Sequence, residues 1–255
     1  MVVVLMRYAI TVEYDGTGYS GWQRQLNALS VQQVLEDALS DFLKEKIVLH
    51  ASGRTDRGVH AAGQTAHFDT LSEIPAHKIR FAVNSMLPED VRIIDMRRVS
   101  CDFHAQYDVV SKTYSYKMYV GNTLSPLRRL YYTRVLPPVD VDAMRRAAAK
   151  LVGTHDFKAF CSTGSSIKTT VRTLYALDVA SDGDEIILTV TGNGFLYNMV
   201  RIIAGTLVFI GKGKLPEENI DRMLATGERK LGGKTFPACA LTLERVLYPD
   251  TENKN

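Results

Sequence analysis

The run Gly53-Arg54-Thr55-Asp56-Arg57-Gly58-Val59-His60-Ala61 sets one carboxylate among two guanidiniums and an imidazole, with a glycine on either side. A carboxylate so placed can attack an electrophilic carbon or take a proton, and flanking glycines let a ligand approach the backbone closely. The same residues also suit a surface loop whose aspartate caps a helix or pairs with a local arginine. A second charged group is Arg201, set inside the apolar stretch Phe195 to Ile210. A buried guanidinium without a partner costs several kcal/mol, so Arg201 calls for a carboxylate. Either a structural Asp or Glu or Asp56 itself can serve; in the second case the arginine keeps Asp56 ionised.

Tyr114 and Tyr116 fall on one face of an alternating run, where a phenol either packs in the core or faces a cleft, stacks on a flat ring and moves a proton. The glycines of Asp15-Gly16-Thr17-Gly18 and Gly21-Trp22-Gln23-Arg24 fit neither a dinucleotide fingerprint nor a phosphate loop, so no nucleotide cofactor is expected. His50, His60, His67, His77, His104 and His155 lack metal-ligand spacing, and no metal is expected.

The elements that must position these groups read as α+β. Tyr8, Ile10, Val12 and Tyr14 alternate with Arg7, Thr11 and Glu13 as in a half-buried strand ended by Asp15-Gly16. The Val2-Val3-Val4-Leu5 run is too short for a signal-peptide core and reads as the start of that strand. Val31, Val34, Leu35, Ala38, Leu39, Phe42 and Leu43 recur at helical spacing behind a Ser30/Gln33 capping box. The apolar Ile47 to Leu49 reads as a strand leading into the Asp56 loop. Further on come an alternating run from Lys112 to Val120 and, after Pro137-Pro138, a helix from Val141 to Val152 stopped by Gly153. Strands near 170–180 and 185–191 flank Asp182-Gly183 as a hairpin. Phe195 to Ile210 reads as a buried helix, since it falls short of the roughly 20 residues a bilayer requires and carries a central arginine. Leu215-Pro216 opens a short helix that turns Ile220, Met223 and Leu224 inward and ends at Gly227. Without a regular βαβ rhythm, antiparallel sheets are favoured over a doubly wound fold.

With 255 residues, 45% hydrophobic and 23% charged, the chain can bury a core as one large domain or two lobes. A formal charge of +3 is compatible with an anionic partner without demanding one. Cys101, Cys161 and Cys239 are odd in number and far apart, which fits a reducing cytoplasm.

Taken together, several spaced blocks make the chain resemble the TruA-type tRNA pseudouridine synthases. They are Tyr14-Asp15-Gly16 with Gly21-Trp22-Gln23, the Gly53 to Ala61 loop, His67-Phe68, Phe103-His104-Ala105, Lys112-Thr113-Tyr114-Ser115-Tyr116, His155-Asp156-Phe157, and the stretch Gly194 to Arg201. The resemblance implies two lobes, 1–107 and 108–250, followed by a tail at 251–255. Their antiparallel sheets would join into one continuous central sheet flanked by helices, with a basic cleft between lobes. A homodimer would cradle tRNA by its anticodon arm and elbow. It also implies that Asp56 is the essential aspartate, Tyr114 the active-site tyrosine, and Arg201 the arginine paired with Asp56. Arg54 would help hold the flipped nucleotide, and Leu241 would line the uracil pocket. With them, Arg57 and His60 are assigned to substrate binding. The sequence departs from the family at Arg57, where a small residue is usual, at Gln106, where arginine is, and at Ala240, where glycine is frequent; these bear on substrate preference.

The implied reaction isomerises uridine to pseudouridine at positions 38, 39 and 40 of tRNA. It needs no cofactor, because nothing is added to or lost from the base. The rival readings are a noncatalytic tRNA-binding module and an N-glycosidase that releases uracil.

Overall fold

The computed structural model describes residues 5–162, 164 and 168–249. In chain order these form β1 Met6–Tyr14, α1 Val31–Leu43, β2 His50–Ala51, β3 His60–Thr70, α2 Ala76–Met86, β4 Val91–Val99, β5 Ser111–Val120 and β6 Thr133–Val135. There follow α3 Val141–Ala149, β7 Gly153–Asp156, β8 Val171–Asp182, β9 Glu185–Gly192, α4 Met199–Gly211, α5 Glu218–Thr226 and β10 Leu241–Leu247. The class is α+β, as expected. Two units are present: Ser111–Thr242 is one, and the chain up to Val110 with the chain from Leu243 is the other. The expected split, 1–107 and 108–250, is contiguous. In the structure the break falls after Val110, and most of β10 returns to the first unit. Strand periodicity shows which residues face inward but says nothing about which distant strand they pair with, so this return was not readable. The 251–255 tail and Val2 to Val4 lie outside the described residues, and Leu5 precedes β1 as an exposed residue.

In the first unit the strand order is β4-β1-β3-β10, with β2 also on β3. β1 runs antiparallel to both neighbours, with Tyr8 opposite Phe68 and Arg98. Tyr8, Ile10, Val12 and Tyr14 are buried as their alternation implies, but Ala9 is buried too, against Phe103 and Ala105, so β1 is covered on both faces there. Helix α1 starts where expected: the Ser30 hydroxyl accepts the Gln33 N–H at 3.3 Å. Val31, Leu35, Ala38 and Leu39 face the core, joined by buried Gln32 and Glu36. These two polar side chains explain why Ile47 to Leu49 is not the expected strand. Glu36 accepts the Leu49 N–H at 3.0 Å and Gln32 donates to the Leu49 carbonyl at 3.1 Å, so the groups a strand partner would use are taken.

In the second unit β5-β9-β8-β7 are antiparallel neighbours and β6 pairs parallel with β5. The hairpin of β8 and β9 is present, with Asp182 opposite Glu185. Helix α3 ends at Ala149, short of the expected Val152, and Gly153 opens β7 with φ at +113° instead of stopping a helix. Helix α4 begins at Met199 where Phe195 was expected. Asn198 takes φ +62°, a left-handed conformation that cannot continue into a right-handed helix behind it. From there α4 is buried on nearly all sides. Among the described residues no helix is long and apolar enough to cross a membrane.

Candidate active site

Asp56 sits half-buried in the loop between β2 and β3, which has no regular structure of its own. Three sets of contacts hold the loop. From behind, Ser52 N–H donates to the Thr65 carbonyl at 2.8 Å, the Ser52 hydroxyl bonds Gln64 at 2.7 Å, and the Gln64 amide donates to the Gly53 carbonyl at 2.9 Å. From the end of β1, Tyr14 shares a hydrogen bond with the Thr55 hydroxyl at 2.7 Å. From the Gly-rich segment, Trp22 N–H donates to the Thr55 carbonyl at 3.1 Å. Within the loop, Val59 N–H closes a turn on the Asp56 carbonyl at 3.1 Å.

That Gly-rich segment packs backbone on backbone against the loop. A methyl group on Gly16 would lie 2.0 Å from the Val59 carbonyl oxygen, and one on Gly21, whose φ is +88°, would lie 2.5 Å from the Thr55 carbonyl oxygen. Only glycine fits at either position. The segment is itself fixed to α1: the carbonyls of Gly21 and Trp22 accept the N–H groups of Val31 and Gln32 at 3.2 and 3.0 Å, two amides that the first helical turn leaves unsatisfied. Trp22 is 1% exposed beside Tyr14. The sequence showed these glycines but not their purpose, because the partner carbonyls lie far along the chain. Ser52 and Gln64 carried no signal at all.

Arg54 and Arg57 are exposed, and Arg54 Nε donates to Gln23 at 3.1 Å. His60, expected to meet substrate, is instead 4% exposed as the first residue of β3. Its Nδ1 lies 3.1 Å from both the Gly16 N–H and an Asp15 carboxylate oxygen, so it braces the turn after β1.

In the second unit the two tyrosines of β5 separate. Tyr116 is fully buried and its hydroxyl is fixed between Thr133, at 2.7 Å, and the Pro237 carbonyl, at 2.8 Å, which makes it a packing residue whose phenol burial pushes up. Tyr114 packs edge-on against Phe195, ring centroids 5.0 Å apart. Two residues before it on the same strand face, half-buried Lys112 has its ammonium pushed down to about 8 by burial. Arg201 is half-buried rather than sunk: Nε donates to the Phe236 carbonyl at 2.7 Å and a terminal nitrogen to the Asn198 side-chain oxygen. The Phe236 carbonyl and the Asn198 side chain help to orient the guanidinium. Leu241 is 7% exposed at the start of β10, next to buried Ala240, and Gln106 is exposed in the first unit. The thiol of Cys239, beside them, is raised by burial.

Against known proteins, a family model described as tRNA pseudouridine synthase matches residues 10–108 and 147–249. The tRNA pseudouridine synthase A of Ruminiclostridium cellulolyticum is 44% identical over 245 residues, covering 96% of this chain and 100% of that protein. The protein of the same name from Brevibacillus brevis is 46% identical over 244 residues, again 96% and 100%. That of Geobacter sp. strain M21 is 44% identical over 242 residues, covering 94% and 98%. A solved archaeal box H/ACA sRNP Nop10-Cbf5 complex aligns at a TM-score of 0.35 and 11% identity, over 79% of this chain and 43% of that one.

Proposed function

Because this chain belongs to the tRNA pseudouridine synthase family, isomerases that act on tRNA, we propose that it converts uridine to pseudouridine in the anticodon arm, at positions 38, 39 and 40, with Asp56 as the reacting carboxylate. The single observation that carries the assignment to Asp56 is the bracing of its loop. The irregular turn that carries half-buried Asp56 is clamped from three sides at its neighbours Gly53 and Thr55, an investment that a solvent-exposed capping aspartate does not require.

The chemistry breaks the N1–C1′ glycosidic bond, turns the freed uracil while it stays bound, and forms a C5–C1′ bond; the proton leaves C5 and one returns to N1. Asp56 serves either by attacking the sugar or base covalently or by taking a proton from the sugar to give a glycal. Tyr114 stacks on the uracil and assists removal of the C5 proton. Arg201, aimed by Phe236 and Asn198, keeps Asp56 charged. The target nucleotide is flipped out of its stack, with Arg54 and Arg57 on the RNA and Leu241 against the base. The protein works as a homodimer in the cytoplasm, in keeping with the family likeness and its three cysteines, which form no disulfide.

Asp56→Ala is expected to lower pseudouridine formation about 10²- to 10⁴-fold or more while leaving tRNA affinity largely intact, since affinity rests on distributed phosphate contacts. Carbodiimide mapping of treated tRNA reads both the yield and the modified positions. Wild-type turnover by this variant would refute the assignment, and free uracil among the products would point to glycosidase chemistry.

A further inference from the structure

The turn after β4 carries an aromatic feature that the isomerisation chemistry does not use. Tyr107 is 76% exposed, yet its ring stacks on His104 with centroids 4.2 Å apart and planes inclined by 27°. His104 in turn meets buried His67 edge-on at 4.8 Å, and His67 stacks on His50 at 5.0 Å. Hydrogen bonds hold the backbone of the turn. Ala105 N–H donates to His67 Nδ1 at 3.1 Å, the Tyr248 hydroxyl donates to the Ala105 carbonyl at 2.6 Å, and Arg7 donates to the Phe103 carbonyl at 2.9 Å. Asp108 accepts the His104 N–H at 2.7 Å. Burial lowers the pKa of His67, the middle ring, to about 4. The outcome is a pre-ordered aromatic face turned to solvent, on the unit that carries Asp56, its lowest tier formed by the first residue of the strand that runs into the Asp56 loop.

We propose that Tyr107, backed by His104, is a stacking platform for an unpaired nucleobase of the tRNA other than the reacting uridine. The inference rests on the reading of this chain as an enzyme of tRNA. Single-stranded bases are held by stacking on aromatic rings, every base offers a π face, and a ring already immobilised loses little freedom on binding. The platform is distinct in kind from the arginines near Asp56, which suit phosphates.

The test uses the full chain and a folded tRNA transcript, with Tyr107→Ala and Tyr107→Phe. Tyr107→Ala is expected to raise the Kd roughly 5- to 150-fold, the range for loss of one stacked base, and to lower kcat/KM by the same factor. The slope of log Kd against log salt stays as in the wild type, because no phosphate contact is removed. Tyr107→Phe keeps the ring and binds within about twofold of wild type. Unchanged affinity of the alanine variant at an unchanged Tm overturns the proposal. So does a shallower salt slope, which marks a lost phosphate contact, or a phenylalanine variant as weak as the alanine one, which marks the hydroxyl. A change of sedimentation coefficient accompanying the loss assigns this face to a second copy of the chain and likewise overturns it. Binding is measured apart from turnover, so failure of the Asp56 assignment leaves these outcomes readable.

Discussion

The loop 52–59 and the approach to α4, residues 195–201, hold the proposed carboxylate and guanidinium by opposite means. The loop is held by polar clamps from β1, β3 and the Gly-rich segment, and Thr55 alone bonds both Tyr14 and Trp22. The approach to α4 rests on a helix buried on nearly every side, where Arg201 donates to the Phe236 carbonyl and the Asn198 side chain and its own carbonyl accepts the Phe236 N–H at 3.2 Å. Close approach does not separate them, for α4 also packs a glycine tightly: a methyl on Gly205 would lie 1.9 Å from the Lys234 carbonyl oxygen. The difference lies in what fixes the functional atom. Asp56 is placed by an irregular loop that hydrogen bonds hold, whereas Arg201 rides on a regular helix that is buried on nearly all sides and tied by further hydrogen bonds such as Gly233 N–H to Thr206 at 3.0 Å. Positional precision is thus most vulnerable on the carboxylate side.

Gly16→Ala should break that comparison most sharply. The added methyl, 2.0 Å from the Val59 carbonyl oxygen, must displace the loop, at about 1–3 kcal/mol of overpacking. For a chain of this size each kcal/mol lowers the Tm by about 2–4 °C. A shift of Asp56 by about 1 Å lowers kcat/KM about 10²-fold, beyond what partial unfolding explains. Activity that tracks only the folded fraction would show that the clamp serves stability alone.

Arg201→Met is expected to act less on the fold and more on the pH profile, since methionine fills the space and α4 keeps its burial. If Arg201 holds Asp56 ionised as proposed, its loss raises the carboxylate pKa by about 1–3 units and moves the acid limb of kcat/KM upward by the same amount. Activity then falls more at pH 6 than at pH 8. An acid limb that stays put would separate the two residues functionally.

The effect that touches activity least concerns stability in acid, where the clamped unit has a titrating member in His67. His67 has its pKa lowered from 6.5 to about 4, chiefly by burial. An unfolded chain therefore takes up this proton first, and stability falls as pH drops from 6.5 to about 4, then levels off below. The contribution at stake is roughly 3 kcal/mol at most. Tm measured between pH 7 and pH 4 should decline over that window, and His67→Asn, which keeps an acceptor for Ala105 N–H, should flatten the decline. An unchanged slope would free His67 of the role.

Local order was legible wherever one segment satisfied itself. Helix α1 could be read from its apolar spacing and Ser30, and the hairpin of β8 and β9 from Asp182-Gly183 between alternating runs. Where a distant group competed, the reading slipped. Gln32 and Glu36 took the backbone of Leu49 and cancelled a strand, and a left-handed Asn198 delayed α4. Residue types named Asp56, Tyr114 and Arg201 as candidates, but Tyr116 looked equivalent to Tyr114 until Thr133 and Pro237 were seen to hold its hydroxyl.

By itself the sequence determined the α+β class, most helices, the family and the chemical inventory, because periodicity, caps and residue types are local or short-range properties. Only the tertiary structure decided that Gly16 and Gly21 exist to let two loops touch, that most of β10 returns to the first unit, that Arg201 is only half-buried, and that Tyr107 stands exposed on His104. Each of these depends on a backbone or ring brought close from far along the chain, and pairwise proximity of that kind leaves no trace in one chain's periodicity.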